Sequence, residues 1–227
     1  MPGVLEGTCV IDFGQYIAGP MAAMLLGDHG ADVIRIDPPG GPRWNTPANA
    51  TWNRNKRSIA LDLKKDADRE TARQLVAGAD VVIENFRPGV MDRFSLEAAA
   101  FEGRCAAANP RLIYCSLPGF GADDPRAQVK AWEGVVGAAT GAYRTSGASD
   151  ATEGRPVYTV VPYGSVYAAF LCAVTVAIAL NERERRWSGG ACRLIPSLYR
   201  KKPSPLLCEQ WYYSWLIGLS WVSLWRP

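Results

Sequence analysis

Eight basic and amide side chains carry the clearest chemical potential in this 227-residue chain: Asn55, Lys56, Arg57, Lys64, Asn85, Arg87, Arg93 and Lys130. They lie near the ends of predicted strands or in the segments that connect them. Lysine and arginine so placed neutralise phosphates through charge-assisted hydrogen bonds. Gathered on one rim they bind an anionic ligand; scattered, they are solvated surface charges, and spacing alone leaves both readings open. Other chemistries lack their parts. No G-x-G-x-x-G follows the first strand and no G-x-x-x-x-G-K-[ST] occurs, so both phosphate-cradling nucleotide loops are missing. The one histidine, His29, sits in GDHG at a helix end and reads as structural, which leaves a Ser-His-Asp triad without its base. No cluster of Cys, Asp or Glu has ligand spacing, so no metal site is expected.

The elements that must position these residues alternate between β and α. Thr8 to Phe13 reads as a buried strand, Ala18 to Gly30 as a helix and Ala31 to Asp37 as a second strand, together a βαβ unit. A Pro/Gly-rich loop follows over 38–47. Ser58 to Leu63 reads as a strand, Asp66 to Gly78 as a capped amphipathic helix, and Asp80 to Phe86 as a strand closed by Arg87-Pro88-Gly89. Glu97 to Ala108 reads as a helix and Arg111 to Leu117 as a strand ending at Pro118-Gly119. Residues 131–157 are small and dotted with glycine. Val166 to Arg183 then forms an apolar helix whose uninterrupted stretch of about 15 residues falls short of a membrane span and suits a buried core helix. The expected fold is α/β, a mostly parallel Rossmann-like sheet with flanking helices, in which ligands bind at the carboxyl ends of strands.

Four segments in order, GQYIAGP (14–20), NKRSIALDLK (55–64), IENFRPGVMDR (83–93) and VKAWEG (129–134), give this chain a resemblance to the front half of a family III CoA-transferase. That family includes formyl-CoA transferase, carnitine CoA-transferase-like proteins and α-methylacyl-CoA racemase. The resemblance covers residues 3–186 and implies CoA or acyl-CoA as substrate, a carboxylic acid as second substrate and no permanently bound cofactor. It places Ile17 near the thioester, Leu61, Leu63 and Lys64 at the CoA nucleotide, Asn85, Phe86 and Arg93 on CoA, and Lys130 in the matching lysine position. The physical sense is good, since cations neutralise phosphates while Leu61, Leu63 and Phe86 flank adenine. Those three also suit a plain hydrophobic core.

The family's nucleophilic aspartate, which takes the acyl group as a mixed anhydride, corresponds to Ser165, or to Gly164 with a one-residue gap, in VVPYGSVYAAF (160–170). Serine needs a neighbouring base, and its acyl ester lacks the driving force of an anhydride for re-forming a thioester. The racemase branch of the family uses a histidine where Trp132 stands, and indole is no base near neutral pH. Glu133 remains as a candidate polar group of the site or as a structural acceptor. Asp150 and Glu153 lie nearby in sequence, in the glycine-dotted loop. The resemblance thus implies CoA transfer without its usual carboxylate; the alternatives are a non-catalytic CoA-binding or scaffolding subunit, or an inactive fragment.

Charge and composition divide the chain near residue 186. Residues 1–182 carry a net charge of −3 and residues 183–227 a net charge of +6, and the last 41 residues hold five of the eight tryptophans. We read 1–186 as a CoA-transferase-like domain and 187–227 as an atypical Trp-rich basic tail, which suggests a shifted frame or a truncation. No nucleic-acid partner is expected, and membrane contact only through the tail, if it is genuine. Six cysteines without C-x-x-C spacing read as reduced thiols of a cytoplasmic protein. The family's subunits interlink, so a homodimer or a hetero-oligomer with a complementary subunit is expected.

Overall fold

A computed structural model describes residues 3–44, 46–102, 109–121, 124–143, 158 and 160–187. Five short strands form one parallel sheet: β1 (Cys9–Asp12), β2 (Asp32–Asp37), β3 (Lys56–Ala60), β4 (Val81–Glu84) and β5 (Ile113–Ser116), in the order β3-β2-β1-β4-β5. Val10 lies opposite Val33 on one side and Val81 on the other, so β1 is the centre of the sheet. The order reverses between β1 and β4, and at that switch point the loops leaving the two strands diverge to either side and open a crevice.

Period-two alternation sends neighbouring side chains into separate cores. Val10, Val33, Val81 and Ile83 pack beneath α1 (Ala18–Asp28) and α5 (Tyr163–Trp187), while Ile11, Ile36 and Val82 pack beneath α3 (Asp66–Ala77). α3 has no side-chain cap, contrary to expectation. Its positive end is met instead by Asp66 and Asp68 in the first turn, and Asp68 accepts from the Asp62 N–H at 2.8 Å.

Two helices lie outside the expected elements, one just after the Pro/Gly-rich loop and one within the glycine-dotted stretch. In α2 (Pro47–Trp52), Thr46 Oγ1 accepts weakly from the Asn49 N–H at 3.4 Å and Pro47 opens the first turn. The other is α4 (Glu133–Ala139). The expected helix over 97–108 is a 3-10 turn at Ala98–Phe101, and 103–108 lie outside the described residues.

α5 departs most from expectation. It runs 25 residues, and Tyr163–Arg185 is long and apolar enough by length and composition to cross a bilayer. In the fold it is no fully enclosed core helix: only 22% of its apolar window is buried. Ala169, Cys172, Val176 and Leu180 face the core with α1, whereas Phe170, Val174 and Ile178 are exposed. Its end is held by Arg183, which donates to the Arg111 carbonyl at 3.1 Å and pairs with Asp80 at 2.9 Å.

Candidate active site

The crevice at the switch point widens into a cavity of about 890 Å³, bounded by the loops leaving β1, β2, β3, β4 and β5 and by the first turns of α1, α4 and α5. Glycine makes the first wall possible. A Cβ on Gly14 would fall 2.7 Å from Asp12 Oδ1 and 2.8 Å from the Gly19 carbonyl carbon, so the GQYIAGP loop folds tightly onto α1 only without a side chain there. The loop then presents Gln15, Tyr16, Ile17 and Ala18 to the cavity. Tyr16 takes a left-handed φ of 61°, costly for a bulky residue, and its ring is held between Trp132, edge-on at 4.5 Å, and Trp44 at 5.3 Å.

Seven of the eight residues assigned to CoA by resemblance line this cavity: Ile17, Leu61, Leu63, Lys64, Asn85, Phe86 and Lys130. Arg93 does not. It is exposed in a 3-10 turn (Asp92–Phe94), where its Nε donates to the Gly89 carbonyl at 3.2 Å. The side-chain amide of Asn85 is spent on backbone: Oδ1 accepts from the Gln15 N–H at 2.7 Å and Nδ2 donates to the Gln15 carbonyl at 2.8 Å. Asn85 therefore ties the β1 loop to the β4 loop across the switch point. Leu61 serves both of its expected roles, being 7% exposed within the lower core and also part of the cavity wall.

The cations divide into two groups. Lys64 and Lys130 are exposed at the cavity, and no hydrogen bond or ion pair engages their ammonium groups among the described residues. Arg43, in the loop after β2, joins them; sequence reasoning passed over it because its Pro/Gly-rich surroundings read only as a connection. Arg87 lines the cavity and donates to the Gln128 carbonyl at 3.2 Å, drawing the strand of chain before Lys130 toward the β4 turn. Lys56 and Arg57 lie elsewhere. Lys56 is almost fully buried and donates to Asp12 at 2.8 Å, the Pro20 carbonyl at 2.7 Å and Asn53 Oδ1 at 2.9 Å. Burial pulls its pKa down, and the Asp12 carboxylate opposes that shift. Arg57 pairs with Asp32 on the surface, and Asn55 with Asp28 at 2.7 Å. His29 Nδ1 meets the Leu25 carbonyl at 2.7 Å at the end of α1, outside the cavity lining.

At the far wall, α4 and α5 begin side by side. Glu133 Oε1 accepts from the Gly164 N–H at 2.8 Å, and Oε2 accepts from the Ser165 N–H at 2.9 Å and from the Ser165 hydroxyl at 2.6 Å. Its carboxylate thereby meets the positive end of α5, and Glu133, Gly164 and Ser165 all face the cavity. Trp132 lines it too, 48% exposed. Asp150 and Glu153 lie outside the described residues.

A family model described as CoA-transferase family III matches residues 5–208. The chain belongs to CoA-transferase family III. Its family match runs past the change in composition at 186, into residues outside those described here. The chain is 45% identical over 187 residues to the CoA-transferase/lyase DddD of Marinomonas sp. (strain MWYL1), covering 82% of this chain and 22% of that protein. It is 35% identical to the succinyl-CoA:mesaconate CoA-transferase of Haloarcula hispanica, covering 94% of this chain and 56% of that one. Among solved structures, the hypothetical protein Rv3272 of Mycobacterium tuberculosis superposes with a TM-score of 0.77 at 28% identity, over 99% of this chain and 59% of that one. A CAIB/BAIF family protein from Brucella suis gives a TM-score of 0.72 at 32% identity, over 82% of this chain and 51% of that one. The chain thus spans between 22% and 59% of the length of these relatives.

Proposed function

We propose that the cavity holds a CoA thioester and that the protein serves the transfer of CoA between an acyl-CoA and a carboxylic acid. The observation that carries this reading is the meeting of Lys64, Lys130 and Arg43 with the apolar flanks Leu61, Leu63 and Phe86 at one topological switch point. Cations on an exposed rim suit the phosphates of CoA, and the apolar wall suits its adenine. The volume lies within the range of small-molecule sites. The name of the Haloarcula hispanica relative, which pairs succinyl-CoA with mesaconate, supports the same substrate class. No resident cofactor is needed for that exchange, and we place it in the cytoplasm, where acyl-CoA and reduced thiols coexist.

Ser165 favours a second reading. Without an aspartate at the start of α5, and with Glu133 holding three donors, the chain fits a CoA-binding subunit that leaves transfer to another polypeptide. The outer stripe of α5 is a surface on which a second copy or a complementary subunit would pack.

Titration calorimetry of the full chain with CoA tests the first step. Lys64→Ala and Lys130→Ala should each weaken binding roughly tenfold, about 1.4 kcal/mol. An absence of heat and of any thermal shift with CoA would refute the assignment. Transfer itself is read by mixing succinyl-CoA with a free acid: exchange supports the first reading, and binding without exchange the second.

A further inference from the structure

We propose that Ser165 is an acyl acceptor with Glu133 as its general base, so that this cavity hydrolyses a CoA thioester to a carboxylic acid and free CoA. This rests on the reading that the cavity holds a CoA thioester. A hydroxyl becomes a useful nucleophile only with a base within hydrogen-bond reach. Ser165 Oγ has one, donating to Glu133 Oε2 at 2.6 Å, the length of a hydrogen bond to a charged acceptor. The base is oriented in turn by the backbone N–H groups of Gly164 and Ser165, which fix both carboxylate oxygens. Nucleophile, base and orienting groups are thus a connected set, and they face the same cavity as Ile17 and Lys130.

The reaction balances with water as the only further reactant. Ser165 Oγ attacks the thioester carbonyl while its proton passes to Glu133. The C–S bond breaks, the proton goes to the departing sulfur, and free CoA leaves an acyl ester on Ser165. Water, deprotonated by Glu133, attacks that ester; the C–O bond to Ser165 breaks, the hydroxyl regains its proton, and a carboxylic acid departs. Ala18, in the first turn of α1, lines the cavity, and that helix has no side-chain cap.

The oxygen ester decides the outcome. An ester on serine has a lower acyl-transfer potential than an anhydride on aspartate, and water is the second nucleophile in this sequence of steps. With no acid acceptor bound, the ester on Ser165 is released by water.

The test uses the full chain and two probes. A fluorophosphonate reports an activated serine whatever the natural acyl group; acetyl-CoA reports thiol release in the absence of any acid acceptor. We expect a Ser165 adduct, located by peptide mass spectrometry and suppressed by CoA, with both adduct and thiol release lost in Ser165→Ala. That variant keeps the two backbone hydrogen bonds to Glu133, so α5 stays anchored. Glu133→Gln should slow labelling roughly 100-fold or more. If CoA binds by calorimetry yet neither probe modifies Ser165, the hydrolytic centre is overturned while the cavity assignment stands. If CoA does not bind, both fall.

Discussion

A charged side chain in this protein acts according to its neighbours more than its type. Lys56 and Lys64 are eight positions apart in one segment, yet Lys56 is sealed under α1 by Asp12, Pro20 and Asn53, whereas Lys64 faces the cavity. Glu84, at the end of β4, is another buried case. It accepts from the Phe86 N–H at 2.7 Å, and burial nevertheless raises its pKa, against the opposing pull of hydrogen bonds from Ser116 and Phe86. A carboxyl raised on folding binds its proton more tightly in the native state. Its contribution to stability is full below the unfolded value of about 4.3 and is lost as pH rises through the folded value. Glu84→Gln keeps an acceptor for Phe86 without the buried charge. The variant should melt higher than the parent at pH 7, with the gap closing as pH falls toward 4; a gap that widens on acidification would contradict this account. Asp124 works in the opposite sense: its hydrogen bonds from Arg126 hold it at about 2, so its contribution is present above the usual aspartate range and is lost as pH falls from there through the folded value.

Strand ends and helix starts position the chemistry, and glycine sets how closely they approach. After β5, Pro118-Gly119 turns against the chain that carries Lys130, Trp132 and Glu133. A Cβ on Gly119 would lie 1.8 Å from the Ala131 Cβ and 3.2 Å from its Cα, so backbone would have to move. Gly119→Ala should cost about 1–3 kcal/mol of stability as an overpacked site and should weaken CoA binding by displacing Lys130. Urea unfolding and calorimetry on one preparation check both, and unchanged affinity would detach this turn from the site. The starts of α4 and α5 are coupled similarly, since Glu133 in the first turn of one helix holds the first turn of the other. Phe170, Val174 and Ile178 are spaced by four residues along the outer face of α5, an exposed apolar stripe opposite the buried Ala169, Cys172, Val176 and Leu180.

For the whole molecule, that stripe bears on assembly. If a second copy packs against α5, the protein sediments as a dimer and Phe170→Glu shifts it to monomer; a monomeric parent would turn attention to a complementary subunit. Much of the architecture was legible in the chain. Buried strand runs, Gly/Pro strand ends and the βαβ spacing lead to a parallel sheet, because local periodicity is what strands and helices express first. The family segments also singled out seven residues that share the cavity. Tertiary structure alone decided the rest. It separated Lys64 from Lys56 and left Arg93 outside the lining, because burial depends on which distant element arrives. It brought Arg43, Tyr16 and Trp44 to the site from a loop and a left-handed turn that have no periodic signal. It also placed Glu133 against Ser165, 32 residues away in sequence. The proposed nucleophile and base are partners by position, and only the packing of α4 against α5 creates that position.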